Sequence, residues 1–460
     1  MQRRRPEDGA STRLQQPVTA RPERRPAAAA TGRGPQLRCR AAGSGPSAAR
    51  SAARPGSGTR RRVRHGIGRL VSLTVALGVL GALTAVPALA ASPRPSPDPD
   101  VPMGVTAGVA VFDRSTGRFT ELLNEDRQFR SASVVKLLLA LDVLWDLGPG
   151  YPVPAEDRAR LEAMLRSSDD AAASHYWSQR GGSLIIERMV ARLGLTGTAP
   201  PPATHPGFWG YTALTASDTV RIYRYVLDSA PAPVRDLVMG ALHRSTRCAN
   251  DGYDQYFGIP SAFTGPWAVK QGWSGFTSGG CTADAGTPAR VAAPAGAGSV
   301  HDARKPGPSA AGPSTAAAGG GVDLVSEALH STGTVGADDR SIMAVLTLHP
   351  DGTPYGTAYS RLTRLVDSLD VPGAQRPLGV RFATLGSGVR VRAGATTDSA
   401  VVTTLPAGVE VLVTCQKQGR RITDDARSSD WWAHLPQYGG YLTNVYVDTP
   451  SDRLPGIPVC

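Results

Sequence analysis

The sequence predicts an α/β sandwich over residues 103–372, followed by a small all-β unit over 380–460. Three observations carry this. Segments that alternate apolar with small or polar residues, the pattern of strands, stand at both ends of the first stretch. Segments with apolar residues at helical spacing fill its middle. After residue 380 only short alternating segments recur, separated by Gly, Pro and Asp. Strands at the two ends with helices between them form layers in which the terminal pieces share one sheet.

The chain of 460 residues is long enough for two or three domains. Its net charge of +12 would suit a nucleic-acid binder, but the charge is not spread evenly. Residues 1–90 hold 17 of the 50 basic residues and 3 of the 38 acidic ones, a balance of +14 there and −2 in the remainder. With no basic patch interleaved with aromatics beyond the leader, nucleic acid is not expected as a partner. Residues 1–66 are rich in Arg, Ala, Pro and Gly, with little to bury, and read as disordered. "RRRVRHGIGRL" then precedes "VSLTVALGVLGALTAVPALA", which ends in Ala88-Leu89-Ala90. A basic region, an apolar stretch and a small-residue site in that order make 67–90 a secretory signal. The run over 70–91 is also long enough to span a bilayer, so an uncleaved anchor is the alternative. Either way, the remainder is exported, to the exterior or the cell wall.

Residues 91–102 form a Pro-rich spacer. "VTAGVAVFD", "RSTGR" and "FTELLNEDRQF" read as strand, turn and strand. "RSASVVKLLLALDVLW" (130–145) begins a buried helix with Ser133 and Lys136 on its first turn. Helical spacing continues through "AEDRARLEAMLRSSDDAAASHYWSQ", "GSLIIERMVARLG" and "TASDTVRIYRYVLDS". "GPWAVKQGWSG" is a strand with a Gly-rich exit. Residues 284–321, almost wholly Ala, Gly, Pro and Ser, are a disordered insertion rather than a boundary. "VSEALHSTGTVG" and "SIMAVLTLHP" are two strands joined by "ADDR", and "YSRLTRLVDSL" is a closing amphipathic helix. Residues 373–379 link to the all-β unit.

Cys39 lies in the leader, which leaves Cys248, Cys281, Cys415 and Cys460, an even number for an oxidising compartment. The expected pairs are Cys248–Cys281 and Cys415–Cys460; the alternative is four buried thiols. None forms a C-x-x-C pair, so no metal site is expected, and nothing calls for a cofactor.

A serine hydroxyl is a weak nucleophile until a base takes its proton. At i and i+3, Ser133 and Lys136 lie on one side of a helix, and apolar neighbours disfavour a lysine's charge. Free N–H groups at the helix start suit an oxyanion. S-x-x-K alone reads better as a cap beside a snorkelling lysine. Two further elements accompany it in order: Ser168-Asp169-Asp170 after "LEAMLR", and Lys270-Gln271-Gly272 on a strand.

With S-V-V-K, S-D-D and K-Q-G in this order, residues 103–372 resemble the penicillin-recognising serine hydrolases, the serine β-lactamases and penicillin-binding DD-peptidases. The resemblance implies their αβα sandwich. Only 35 positions separate Ser133 from Ser168, which implies a reduced helical lobe. It makes Ser133 the acylated nucleophile, Lys136 its base and Ser168 the donor to the leaving nitrogen. Lys270 would hold a substrate carboxylate and raise the acidity of Ser168. The backbone N–H groups of Ser133 and Trp273 would form the oxyanion hole, and Gly272 would leave room for substrate. Asp170 stands where the family has an amide that bonds substrate and lysine, and places a negative charge beside two lysines. Gln271 replaces a carboxylate-binding hydroxyl. No glutamate occurs between Glu187 and Glu327, where class A β-lactamases keep the one that activates the deacylating water. In "HPGFWGYTALTASD", His205, Phe208, Trp209 and Tyr211 either line the cleft or pack beneath a loop, and His175 reads as a packed or surface residue.

"VRVRAGATTDSAVVTTLPAGVEVLVTCQ", "WWAHL" and "GGYLTNVYV" make the last unit similar to a bacterial SH3 domain, a small barrel. Such domains often bind wall peptides or glycans, with Trp431 and Tyr446 as groove candidates and one tryptophan left for the core. The leading expectation is therefore a secreted hydrolase of D-Ala-type peptidoglycan peptides. The alternatives are a β-lactamase and a wall-binding protein without turnover. Stem peptides, wall glycans and β-lactams are the expected partners.

Overall fold

The computed structural model describes residues 99–148, 150, 152–281, 321–424 and 427–460. The expected leader, the export segment, most of the spacer and the insertion lie outside the described residues. Among the described residues, no helix is long and apolar enough to cross a membrane.

The body opens with β1 (Thr106–Asp113), β2 (Arg118–Leu123) and a short β3 (Phe129–Arg130). Next come a 3₁₀ turn at Ala132–Val135 and α1 (Lys136–Leu147), α2 (Ala155–Arg166), α3 (Asp170–Gln179) and α4 (Ser183–Leu193). β4 (Ala213–Leu214), α5 (Ala216–Arg224), α6 (Ala232–His243) and α7 (Ile259–Ala262) precede β5 (Trp267–Ser274). β6 (Glu327–Val335), β7 (Ser341–His349) and α8 (Tyr355–Ser368) complete it. The main sheet runs β2-β1-β7-β6-β5, antiparallel throughout, so strands from both ends of the stretch do share one sheet.

The period-2 alternation of these strands builds two cores. Ala110, Phe112, Ala268, Ala344 and Leu346 join Leu137, Leu138 and Leu141 of α1 and the other helices on one face. Val109, Val111, Val269, Met343 and Val345 join Leu362, Leu365 and Val366 of α8 on the other. The result is a helix–sheet–helix sandwich.

Two sequence expectations are refined locally. The helical stretch expected over 155–179 is two helices, α2 and α3, that meet at Ser168, whose φ is +54°. Asp169 then caps α3 by accepting from the Ala172 N–H at 2.7 Å. Helix α6 has no counterpart in the sequence reading.

The last unit comprises β8 (Val380–Ala383), β9 (Val389–Arg392), β10 (Val401–Leu405), β11 (Glu410–Val413), β12 (Cys415–Asp424), β13 (Arg427–Leu435) and β14 (Gly440–Thr443). It is all-β, as expected. Its described strands form one five-stranded sheet, β10-β9-β14-β13-β12, and a separate β8–β11 pair, with no closed barrel among the described pairings. This unit is not held at arm's length. Val389, Leu405, Val409 and Val411 enter the same apolar cluster as α8. Ser360 Oγ donates to Gly408 O at 3.0 Å and accepts from the Glu410 N–H at 2.8 Å. Both expected disulfides, Cys248–Cys281 and Cys415–Cys460, are present.

Candidate active site

The site begins with local backbone. Ala132 takes a left-handed φ of +46°, and Ser133 follows in the 3₁₀ turn rather than in α1 itself. In a 3₁₀ turn, residues i and i+3 eclipse, which sets Ser133 directly above Lys136. Lys136 Nζ lies 2.9 Å from Ser133 Oγ. The left-handed Ser168 turns both its hydroxyl and its carbonyl toward that amine, at 3.0 and 2.7 Å. From the sheet side, Lys270 on β5 reaches the same Ser168 hydroxyl at 3.0 Å. Ser133, Lys136, Ser168 and Lys270 thus form one continuous hydrogen-bonded run. All four are buried.

Asp170 opens the first turn of α3, with its Oδ1 2.5 Å from Lys136 Nζ. Lys136 therefore faces four oxygens, one more than an ammonium has hydrogens. The indole of Trp209 covers the same amine, its ring centroid 4.8 Å away. Burial, and after it the charge of Lys136, holds Lys270 well below the usual lysine pKa, while Asp170 and Asp251 oppose the shift.

Gly272 is required by close approach. A Cβ there would meet Ser131 O at 3.0 Å, Val134 Cγ2 at 3.1 Å and Ala132 Cβ at 3.3 Å. The 131–134 segment therefore lies directly against this strand, whose outer edge is unpaired within the sheet. Trp273 follows on β5, in register with Leu329 of β6.

Gln271 does not join the others. Strand alternation sends it to the opposite face from Lys270, where its amide donates to the carbonyls of Gln255 (3.0 Å) and Phe257 (2.7 Å). The Trp273 side chain shares that face, its indole N–H donating to Asp251 at 2.9 Å. His175 is exposed on α3. His205, Phe208 and Tyr211 form a half-buried three-ring cluster with centroids 5.2–5.4 Å apart. Of that segment only Trp209 reaches the lysine.

The brace behind Ser168 escaped sequence reasoning. Thr246 N–H donates to Arg166 O and Asn250 N–H to Ser167 O, while the Asn250 amide bonds Asp169. Gln255 donates to Arg166 O at 2.8 Å. These contacts run mostly to backbone carbonyls and leave no motif; the one hint was the neighbouring Cys248. Among the described residues, no group of three or more His, Cys, Asp or Glu side chains is arranged to hold a metal ion.

No family model matches the chain. The Mycobacterium tuberculosis protein named lipoprotein LppW is 40% identical over 186 residues, covering 39% of this chain and 58% of that protein. The chain thus spans 58% of the length of the curated relatives it first matches. The Bacillus subtilis protein YraI is 29% identical over 82 residues, 16% of this chain and 68% of its own. Among solved structures, the chain is similar to a class A β-lactamase from Mycobacterium abscessus (18% identity, TM-score 0.38, 58% of this chain and 92% of that one). It is likewise similar to a β-lactamase from Streptomyces albus G (15%, TM-score 0.38, 58% and 95%) and to PBP-A (14%, TM-score 0.38, 59% and 90%).

Proposed function

We propose that this chain is an exported serine hydrolase that forms an acyl-enzyme on Ser133, with D-Ala-type peptides of peptidoglycan as substrates. The observation that carries the reading is the unbroken run from Ser133 through Lys136 and Ser168 to Lys270. Ser133 Oγ adds to the substrate carbonyl carbon, and its proton passes to the Lys136–Asp170 pair. The carbon–nitrogen bond then breaks as Ser168 gives its proton to the leaving nitrogen and recovers one from Lys136. Water adds to the resulting ester, releases the acid and restores the serine hydroxyl. The N–H groups of Ser133 and Trp273 are the candidate donors to the oxyanion. With no glutamate between Glu187 and Glu327 to activate water, the ester is long-lived, which favours a DD-peptidase-like enzyme over a β-lactamase.

Export is supported by the order of basic, apolar and small residues in 67–90 and by the lipoprotein name of LppW. The last unit, with Trp432 in its core and Trp431 and Tyr446 half-buried, is read as an SH3-like module that holds the enzyme at the wall.

The Lys136–Asp170 ion pair favours a second reading, a wall-binding protein on the same fold without turnover. A fluorescent penicillin separates these readings. A persistent adduct on Ser133, absent in Ser133→Ala, supports the DD-peptidase-like enzyme, and rapid release supports a β-lactamase. No adduct at high concentration leaves the second reading.

A further inference from the structure

His330 has no role in the chemistry above, yet it is fully buried close to it. It stands on β6, in register with Leu346 and two positions after Ala328, both of which face the helices. A polar ring in an apolar layer costs free energy unless its nitrogens are bonded. Both are. Nε2 lies 2.8 Å from Arg130 O, and Nδ1 accepts from the Thr347 N–H at 3.1 Å. A carbonyl can only accept, so the ring is neutral with its proton on Nε2. Burial agrees, holding the pKa of His330 down at about 4.

The two partners differ. Thr347 belongs to β7, in the same sheet. Arg130 ends β3, which pairs with β4 and not with the main sheet, and Ser133 follows three residues later. Between them Ala132 holds its left-handed φ of +46°, and such a residue persists only where its surroundings fix the chain on either side. Downstream, α1 does so. Upstream, the Ser131 N–H donates to Thr212 O at 2.8 Å, and the Arg130 guanidinium donates to Asp323 O at 2.7 Å and Ser274 O at 3.3 Å. The His330 bond ties the backbone entering the turn directly to the main sheet.

We propose that His330 is a positioning residue for the nucleophile: by donating to Arg130 O it sets the turn that places Ser133 above Lys136 and against β5. The inference rests on the serine-hydrolase reading and adds the group that aims its nucleophile.

Two substitutions separate the ring nitrogens. A glutamine amide reaches as far as Nε2 and can donate to Arg130 O, but leaves the Thr347 N–H without its acceptor. An asparagine carbonyl reaches as far as Nδ1 and keeps Thr347, but leaves Arg130 O without its donor. Each variant loses one hydrogen bond, so both should melt below the native chain by similar amounts. Acylation of the full chain by benzylpenicillin, followed by intact mass over a range of concentrations, gives affinity and acylation rate constant separately. His330→Gln should acylate close to the native rate. His330→Asn should acylate about 10²-fold more slowly at unchanged affinity, the cost of a displaced nucleophile. Equal rate constants in the two variants, or losses that follow their melting temperatures, overturn the inference. A second measurement needs no acylation. Amide hydrogen exchange over 131–134, at a temperature where both variants are folded, should be about ten-fold faster in His330→Asn than in His330→Gln. Equal exchange also overturns the inference. If the native chain forms no adduct but exchange separates the variants, the hydrolase reading fails while the placement of the turn by His330 stands.

Discussion

Lys136 and Lys270 donate to one and the same oxygen, each amine 3.0 Å from Ser168 Oγ. Burial, and after it the charge of Lys136, holds the pKa of Lys270 well below the usual lysine value. A lysine whose folded pKa lies below its unfolded value of about 10.4 binds its proton more readily in the unfolded chain. Between the two values the unfolded state holds more protons, so stability rises with pH across that window. Replacing Lys270 with Met should remove this dependence. Denaturant unfolding of both proteins from about pH 7 to about pH 10 checks it: the stability of the native chain relative to Lys270→Met should rise with pH, and a fall would refute the assignment.

Ser168 combines a strained backbone with a functional hydroxyl, and the two are separable. A left-handed non-glycine residue costs roughly 1–2 kcal/mol, which glycine does not incur. Ser168→Gly should therefore be more stable than Ser168→Ala by about 1 kcal/mol. Both lose the hydroxyl that joins the lysines, so both should acylate about 10²–10⁴-fold more slowly than the native protein. Thermal melts and adduct kinetics on the three proteins read the two effects independently. Equal melting temperatures for the Gly and Ala variants would show that φ at this position is not under strain.

Gly272→Ala tests how closely β5 meets the nucleophile segment. The added methyl would sit 3.0 Å from Ser131 O, a backbone atom with little freedom to give way. Forcing the strand and the segment apart should cost about 1–3 kcal/mol. It should also slow acylation by shifting Trp273 relative to Ser133. Adduct formation at the native rate with unchanged stability would mean the approach is looser than these distances.

The terminal strands and the Ser, Lys and Ser-Asp-Asp elements were legible because each rests on a local pattern: alternation, i to i+3 spacing, a polar break between helices. Gln271 stands apart from the substrate side for a reason that the strand pattern already contains. If Lys270 and Gly272 face the helices, alternation sends Gln271 away. Helix α6 begins in "SAPAP", where two prolines within three residues mask a helix start, with Pro231 as its N-cap. The brace of Thr246, Asn250 and Gln255 acts through carbonyls and has no residue signature. The docking of the last unit was hidden for another reason. Val409 and Val411, which pack with α8, look in sequence like residues of that unit's own core.

That docking has a focus in Arg247. Its guanidinium lies 4.5 Å from the Tyr256 ring and 4.3 Å from Tyr438, pairs with Asp254 at 3.3 Å and donates to Gln437 O. Asp254 is 1% exposed, so removing the arginine strands a buried carboxylate. Arg247→Ala should cost about 3–5 kcal/mol. Because the body and the last unit share one apolar cluster, the native protein should also melt in a single transition by calorimetry. A separate melt of the last unit would show that the shared cluster does not couple them.

His243 offers a pH dependence of opposite sign to that of Lys270. Its Nε2 lies 3.1 Å from Asp339 Oδ1 and its Nδ1 3.0 Å from Trp267 O. The Asp339 hydrogen bond, against partial burial and the nearby Arg244, raises its pKa above the usual 6.5. A raised folded value means the native state holds the proton more tightly. The stabilisation is then complete below the unfolded pKa and disappears as pH climbs through the folded one. At 37% exposure the pair is screened, so its contribution is small and should shrink further in high salt. His243→Gln should thus destabilise the protein at about pH 5.5 and match the native chain at about pH 9. Paired thermal melts at the two pH values check this. A gap that is the same at both, or larger at the higher pH, would mean that the ion pair with Asp339 does not contribute.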